Sequence, residues 1–160
     1  MIDQEKITQE WIDRVSSSNR KADKILVEKV IRAFLLLEGL VKECIPFVFK
    51  GGTSLMLHFQ SAKRLSIDID IIIAEQISGL ETKLDAVVKV QGFLMQQIQP
   101  RTAASGILKE HHQFFYTPIH RSNKEEDYVL LDILLEKVNY NQLHSSRFNP
   151  HSFNRMKTRF

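Results

Sequence analysis

A chain of 160 residues, 43% hydrophobic and 26% charged, has the length and balance of one globular domain with a real core. It holds no long unbroken apolar run, which argues against a membrane span, and its polar, acidic opening MIDQEKITQEW lacks the basic and apolar regions of a secretory signal. The single cysteine, Cys44, excludes an internal disulfide and a Cys-rich zinc site, suits a reducing cytosol and reads as a small buried hydrophobe, while a net charge of +3 suits an anionic partner without naming one.

In chain order, residues 5–15 read as a short helix with Ile7, Trp11, Ile12 and Val15 on one side. The Ser16-Ser17-Ser18-Asn19 cluster breaks it and can cap a second helix over about 20–38, where apolar residues recur at helical spacing. Gly39 marks its expected end. Phe47 to Lys50 is a short strand, Gly51-Gly52 ends it, and 53–60 is a helix. The clearest strand covers 65–73. A long helix is expected over 79–98, using Leu80, Leu84, Val87, Val88, Phe93 and Leu94. Residues 106–119 suggest a strand or irregular hairpin, 128–136 a further strand, and the remainder shows little periodicity. These elements make an α/β (α+β) domain: a small mixed sheet flanked by helices, with helices of 1–45 packed on a core of 46–140. Residues 141–160 form a basic tail. From Arg147 onward it carries Arg147, Arg155, Lys157 and Arg159 and no acid, which suits RNA or nucleotide phosphates, or simply a solvated end.

The sharpest chemical signal is LSIDIDIII at 65–73. On a strand, alternation puts Ile67, Ile69 and Ile71 on one face and Asp68 and Asp70 on the other. Aspartate is a poor strand former and like charges repel. The pair is either solvated on an open face or held by a cation, and Mg²⁺ prefers such hard oxygen donors. The triple isoleucine that follows points to an interior strand and therefore to a cleft. Upstream, FVFKGGTSLMLHF passes from strand through paired glycines and hydroxyls into a helix. Glycine lets backbone approach a phosphate, and amides at a helix start favour anions. Lys50, Gly51, Gly52, Thr53 and Ser54 could thus hold phosphate, although a Gly-Gly turn is also an ordinary cap. No Walker A spacing is present. A third acid, Asp132, interrupts the apolar strand YVLLDILLEK, where an unpaired carboxylate is costly; Glu136 is its weaker rival. His111-His112 and Phe114-Phe115-Tyr116 read as packing or surface residues before ligands or base-stacking groups. Arg64 either touches phosphate or pairs with an acid.

Together, KGGTSLMLHFQSAKRLSIDIDI resembles the first motif of the AbiEii/AbiGii-type nucleotidyltransferase toxins, in the polymerase-β-like nucleotidyltransferase superfamily. Lys50, Gly51, Gly52, Thr53, Arg64, Ser66, Asp68 and Asp70 match the family pattern, and Leu65 replaces its usual Phe. The resemblance implies a cytoplasmic nucleotidyltransferase that moves a nucleotidyl group from an NTP to an acceptor hydroxyl, possibly of tRNA or another RNA. It implies Mg²⁺ (or Mn²⁺) on Asp68, Asp70 and Asp132, phosphates on residues 50–54 and Arg64, and a toxin role in a toxin–antitoxin or abortive-infection system, with an antitoxin protein as partner. Family members usually continue into a C-terminal helical region with further site residues. The resemblance therefore leaves open a fragment, a minimal enzyme completed by a partner, or an inactive NTP-binding or partner-binding module.

Overall fold

The computed structural model describes residues 2–59, 66–99, 108–120 and 125–138. After a 3-10 turn at Gln4–Lys6 come α1 (Gln9–Ser18), α2 (Lys24–Lys42), β1 (Val48–Lys50), α3 (Gly51–Phe59), β2 (Ile69–Ile73), α4 (Leu80–Val90), β3 (Met95–Ile98), β4 (Leu108–Tyr116) and β5 (Asp127–Leu135). Arg64, Leu65 and the basic tail at 141–160 lie outside the described residues.

Local chemistry sets the helix ends. Thr8 caps α1 by accepting the Trp11 amide, and Asp23 caps α2 by accepting the Ile25 and Leu26 amides at 2.8 and 3.2 Å. The second helix does not stop at Gly39. It continues to Lys42, because Gly39 is a packing residue: a Cβ there would stand 2.6 Å from Val87 Cγ1, so the glycine lets α2 and α4 cross closely. Cys44 is exposed, against its expected burial. It occupies the left-handed position (φ 51°) that ends α2, where the Ile45 amide reaches back to the Leu40 carbonyl at 3.1 Å and Cys44 N–H to Val41. Turning Cys44 outward is what turns Ile45 into the core.

The expected long helix over 79–98 is two elements. Gly92, with φ 66°, closes α4 in the same left-handed manner, and the Phe93 amide bonds back to the Val88 carbonyl. Phe93 then buries edge-on against Phe114 with ring centroids 5.4 Å apart, and the Leu94 amide opens a ladder to β4. Phe93 and Leu94 fit a helical period by coincidence; the glycine decides.

The five strands form one mixed sheet in the order β1-β2-β5-β4-β3, with β2 and β5 parallel and the other pairs antiparallel. Alternation divides its faces. Ile69, Ile71, Ile73, Val129, Leu131, Ile133, Phe114 and Tyr116 join Leu35, Leu36, Leu40, Leu84 and Val87 of α2 and α4 in the main core. Each such aliphatic side chain contributes about 1.5–3 kcal/mol by burial. Ile67 is only partly buried and packs instead beside a smaller cluster of Val30, Phe34 and Met56. The helix α1 packs on α2, so the N-terminal helices lie on one side of the sheet. The α+β architecture expected from the sequence is the one observed. No helix among the described residues is long and apolar enough to cross a membrane.

Candidate active site

The opposite face of the sheet carries the acids. Asp70 stands across from Lys50 on β1 and from Asp132 on β5. Asp132 in turn stands across from His111 on β4. A single row across four strands therefore reads Lys50, Asp70, Asp132, His111. Asp68 sits just before β2 and is exposed, two residues from Asp70, so that alternation continues the same face.

The glycine-rich turn is built around these acids. Gly51 has φ 77°, which sends the chain from β1 straight into α3. A Cβ there would collide with the Asp70 carboxylate, 2.8 Å from its Cγ. At Gly52 an added Cβ would stand 2.9 Å from Ser66 Oγ. Thr53 is fully buried and its hydroxyl donates to the Asp68 carbonyl at 2.7 Å, so its side chain anchors the acid strand and only its backbone amide is left for an anion. The Ser54 hydroxyl donates to the Gly51 carbonyl at 2.8 Å, on the first turn of α3. The paired glycines, read from sequence as the end of a strand, are thus the first two residues of the helix.

The charges on this face act on Asp68 and Asp70. Asp68 is exposed at its surface, yet the partial desolvation of its carboxyl raises it above its ordinary value, the Asp132 charge raises it further, and Lys29 of α2 opposes the shift. Burial likewise raises Asp70, followed by Asp132; Lys50 pulls it down and Asp68 pushes it up. Packed carboxylates that repel in this way favour a cation between them. Their hard oxygen donors fit Mg²⁺ or Mn²⁺, which commonly take one or two protein carboxylates and complete their shell with water and substrate phosphate. Among the described residues, however, no group of three or more His, Cys, Asp or Glu is placed to hold a metal ion, so Asp68, Asp70 and Asp132 do not form a closed metal site.

Two residues at the site had no distinct signal in the sequence. His111 Nδ1 lies 2.6 Å from Asp132 Oδ1, with the imidazole almost wholly buried. Its neighbour His112 points to the core face, between Gln96 and Glu110. Only the strand register separates the two. Lys29 of α2, which belongs to no motif, holds Asp127 at 2.8 Å and lies over the Tyr128 ring. Of the aromatic run, Phe114 and Tyr116 pack in the core, whereas Phe115 lies beside Tyr128 on the acid face, ring centroids 5.7 Å apart. Arg64 is outside the described residues, and Glu136 lies just past the end of β5.

Residues 35–153 match the family model of the AbiEii nucleotidyl transferase toxin, of type IV toxin–antitoxin systems. The chain belongs to this family. The match takes in the whole row of Lys50, Asp70, Asp132 and His111, together with the glycine turn and the sheet that carries it. Comparison with curated proteins and with solved structures finds no match. Membership in this family of nucleotidyl transferase toxins agrees with the family resemblance carried by residues 50–70.

Proposed function

We propose that the domain transfers a nucleotidyl group from an NTP to an acceptor hydroxyl of tRNA or another RNA, as the toxin of a toxin–antitoxin pair in the cytoplasm. The observation that carries the reading is the register that sets Asp132 across from Asp70, beside a glycine turn shaped to the Asp70 carboxylate. Asp68, Asp70 and Asp132 would hold Mg²⁺ or Mn²⁺ only together with substrate phosphate and water, since the three carboxylates do not close a metal site among themselves. A divalent cation there supplies charge neutralisation of the triphosphate and a lowered pKa for the attacking hydroxyl.

The chain's own groups do the rest. Backbone amides of Gly51, Gly52 and Thr53 open α3 and bind the β/γ-phosphates, where the helix start favours anions. Ser54 can release its bond to Gly51 and donate to phosphate, and Lys50 and Arg64 add positive charge. Asp132 accepts the proton of the acceptor hydroxyl at a carboxylate oxygen. Thr53 keeps the Asp68 backbone fixed while this happens.

Calorimetric titration with each of the four NTPs, with and without Mg²⁺, tests the reading. One NTP should bind in a Mg²⁺-dependent way, and an Asp68→Asn/Asp70→Asn double variant should lose that binding. Incubation with labelled NTP and total tRNA should then label RNA in the wild type alone. Binding without label transfer would reduce the domain to a nucleotide-binding module, and no binding would overturn the proposal.

A further inference from the structure

We infer that His111 is the positioning residue of Asp132, fixing which carboxylate oxygen faces the reaction. The inference rests on the proposed transfer chemistry and deepens it. Asp132 lies between Asp70 on one strand and His111 on the other, all on one face of the sheet. A carboxylate flanked by like charge turns away from it unless something holds it. Rotation about its side-chain bonds would carry it off the row at little cost, since the Asp132 side chain is about one-third exposed at 32%.

His111 supplies the hold. At 2.6 Å its Nδ1 is within a short hydrogen bond of Oδ1, and a carboxylate can only accept, so the Nδ1 nitrogen carries the proton. The imidazole is itself rigid: its side chain is 9% exposed, and it sits within the long β4–β5 ladder. One lone pair of Oδ1 is thereby taken, and Oδ2 is the oxygen with both lone pairs left for the acceptor proton and the cation. Support of this kind, from a residue that touches neither substrate nor metal, typically changes affinity or rate by 10–100-fold. The neighbouring His112 cannot substitute, because alternation turns it to the opposite face, where Gln96 and Glu110 hold it.

The test compares His111→Leu, His111→Asn and Asp132→Asn with wild type. Leucine keeps the buried volume and removes the donor; asparagine places an amide nitrogen where Nδ1 stood. Each protein is first checked for folding by its melting transition. Mn²⁺ binding in the presence of the bound NTP is then measured by calorimetry, beside kcat and KM for label transfer. His111→Leu should weaken Mn²⁺ about 10-fold and lower kcat by about 10–100-fold, with KM for the NTP within about 2-fold. His111→Asn should recover most of both losses. Adding His111→Leu to Asp132→Asn should cost nothing further, since the histidine acts only through that carboxylate. A folded His111→Leu protein with wild-type Mn²⁺ affinity and kcat overturns the inference while leaving the transfer reading intact. Additive losses in the double variant overturn it too, by showing a separate role for His111. Asp132→Asn with wild-type Mn²⁺ binding, or a wild type that binds no Mn²⁺ with any NTP, overturns the inference together with the reading beneath it.

Discussion

Cys44 shows how one backbone angle outranks a side chain's preference. A non-glycine residue in the left-handed region carries a strain of about 1 kcal/mol, and here it is accepted because the turn returns Ile45 to the core. Cys44→Gly should therefore stabilise the fold by about 0.5–1 kcal/mol, raising the melting temperature by about 1–4 °C in a domain of this size. A scanning calorimetry trace with an unchanged or lower melting point would contradict this account of the helix end. Burial of a lone cysteine is a sound expectation from composition, and it fails because the position is chosen by φ. At the site, Asp68, Asp70 and Asp132 were legible because acids among β-branched residues break a pattern. His111 was not, since nothing in HHQFFY says which histidine faces the acids until β4 is paired with β5 in register.

Glycines govern the elements, in two opposite ways. Gly92 ends α4 and creates β3, so the expected helix over 79–98 divides. Gly39 does not end α2 at all, because its missing side chain serves the crossing with α4. Periodicity cannot tell these uses apart, because both place a glycine inside an apolar helical pattern. The difference has a measurable sign. By helix propensity Gly39→Ala should stabilise by about 1 kcal/mol. The 2.6 Å approach to Val87 Cγ1 predicts the reverse, a loss of about 1–3 kcal/mol from overpacking. Urea denaturation of Gly39→Ala alone and combined with Val87→Ala separates the two effects. The second change should recover part of the loss if the crossing is the cause. The strands were easier to read: Val48–Lys50 and Ile69–Ile73 fall inside the expected runs and Asp127–Leu135 is the expected 128–136 moved by one residue, since short apolar stretches between polar breaks have few alternatives.

For the whole molecule, the acid face is a cost to stability. The carboxyls of Asp68 and Asp70 are raised above the ordinary value of 3.8 in the folded chain. Between that value and the raised ones the folded state holds more protons than the unfolded state, so stability falls as pH rises through the interval. At neutral pH without divalent cations, Asp68→Asn/Asp70→Asn should melt higher than wild type by roughly 1–3 °C, a modest figure because both groups are partly solvated. The advantage should narrow as the pH is lowered below the ordinary carboxyl value, where both proteins carry neutral side chains at these positions. A double variant that melts lower than wild type at neutral pH would mean the acids are compensated within the chain.

The parallel pairing of β2 with β5 also has a consequence during synthesis. Asp70 and Asp132 meet only after about sixty further residues, which carry α4, β3 and β4, have been made and folded back, a distant closure that slows assembly. Until β5 has left the ribosome, a nascent chain has the glycine turn, two of its acids and His111, but no Asp132 to join them. The row of Lys50, Asp70, Asp132 and His111 is therefore closed only in a chain that has been made through β5, and every shorter nascent chain carries its acids unjoined.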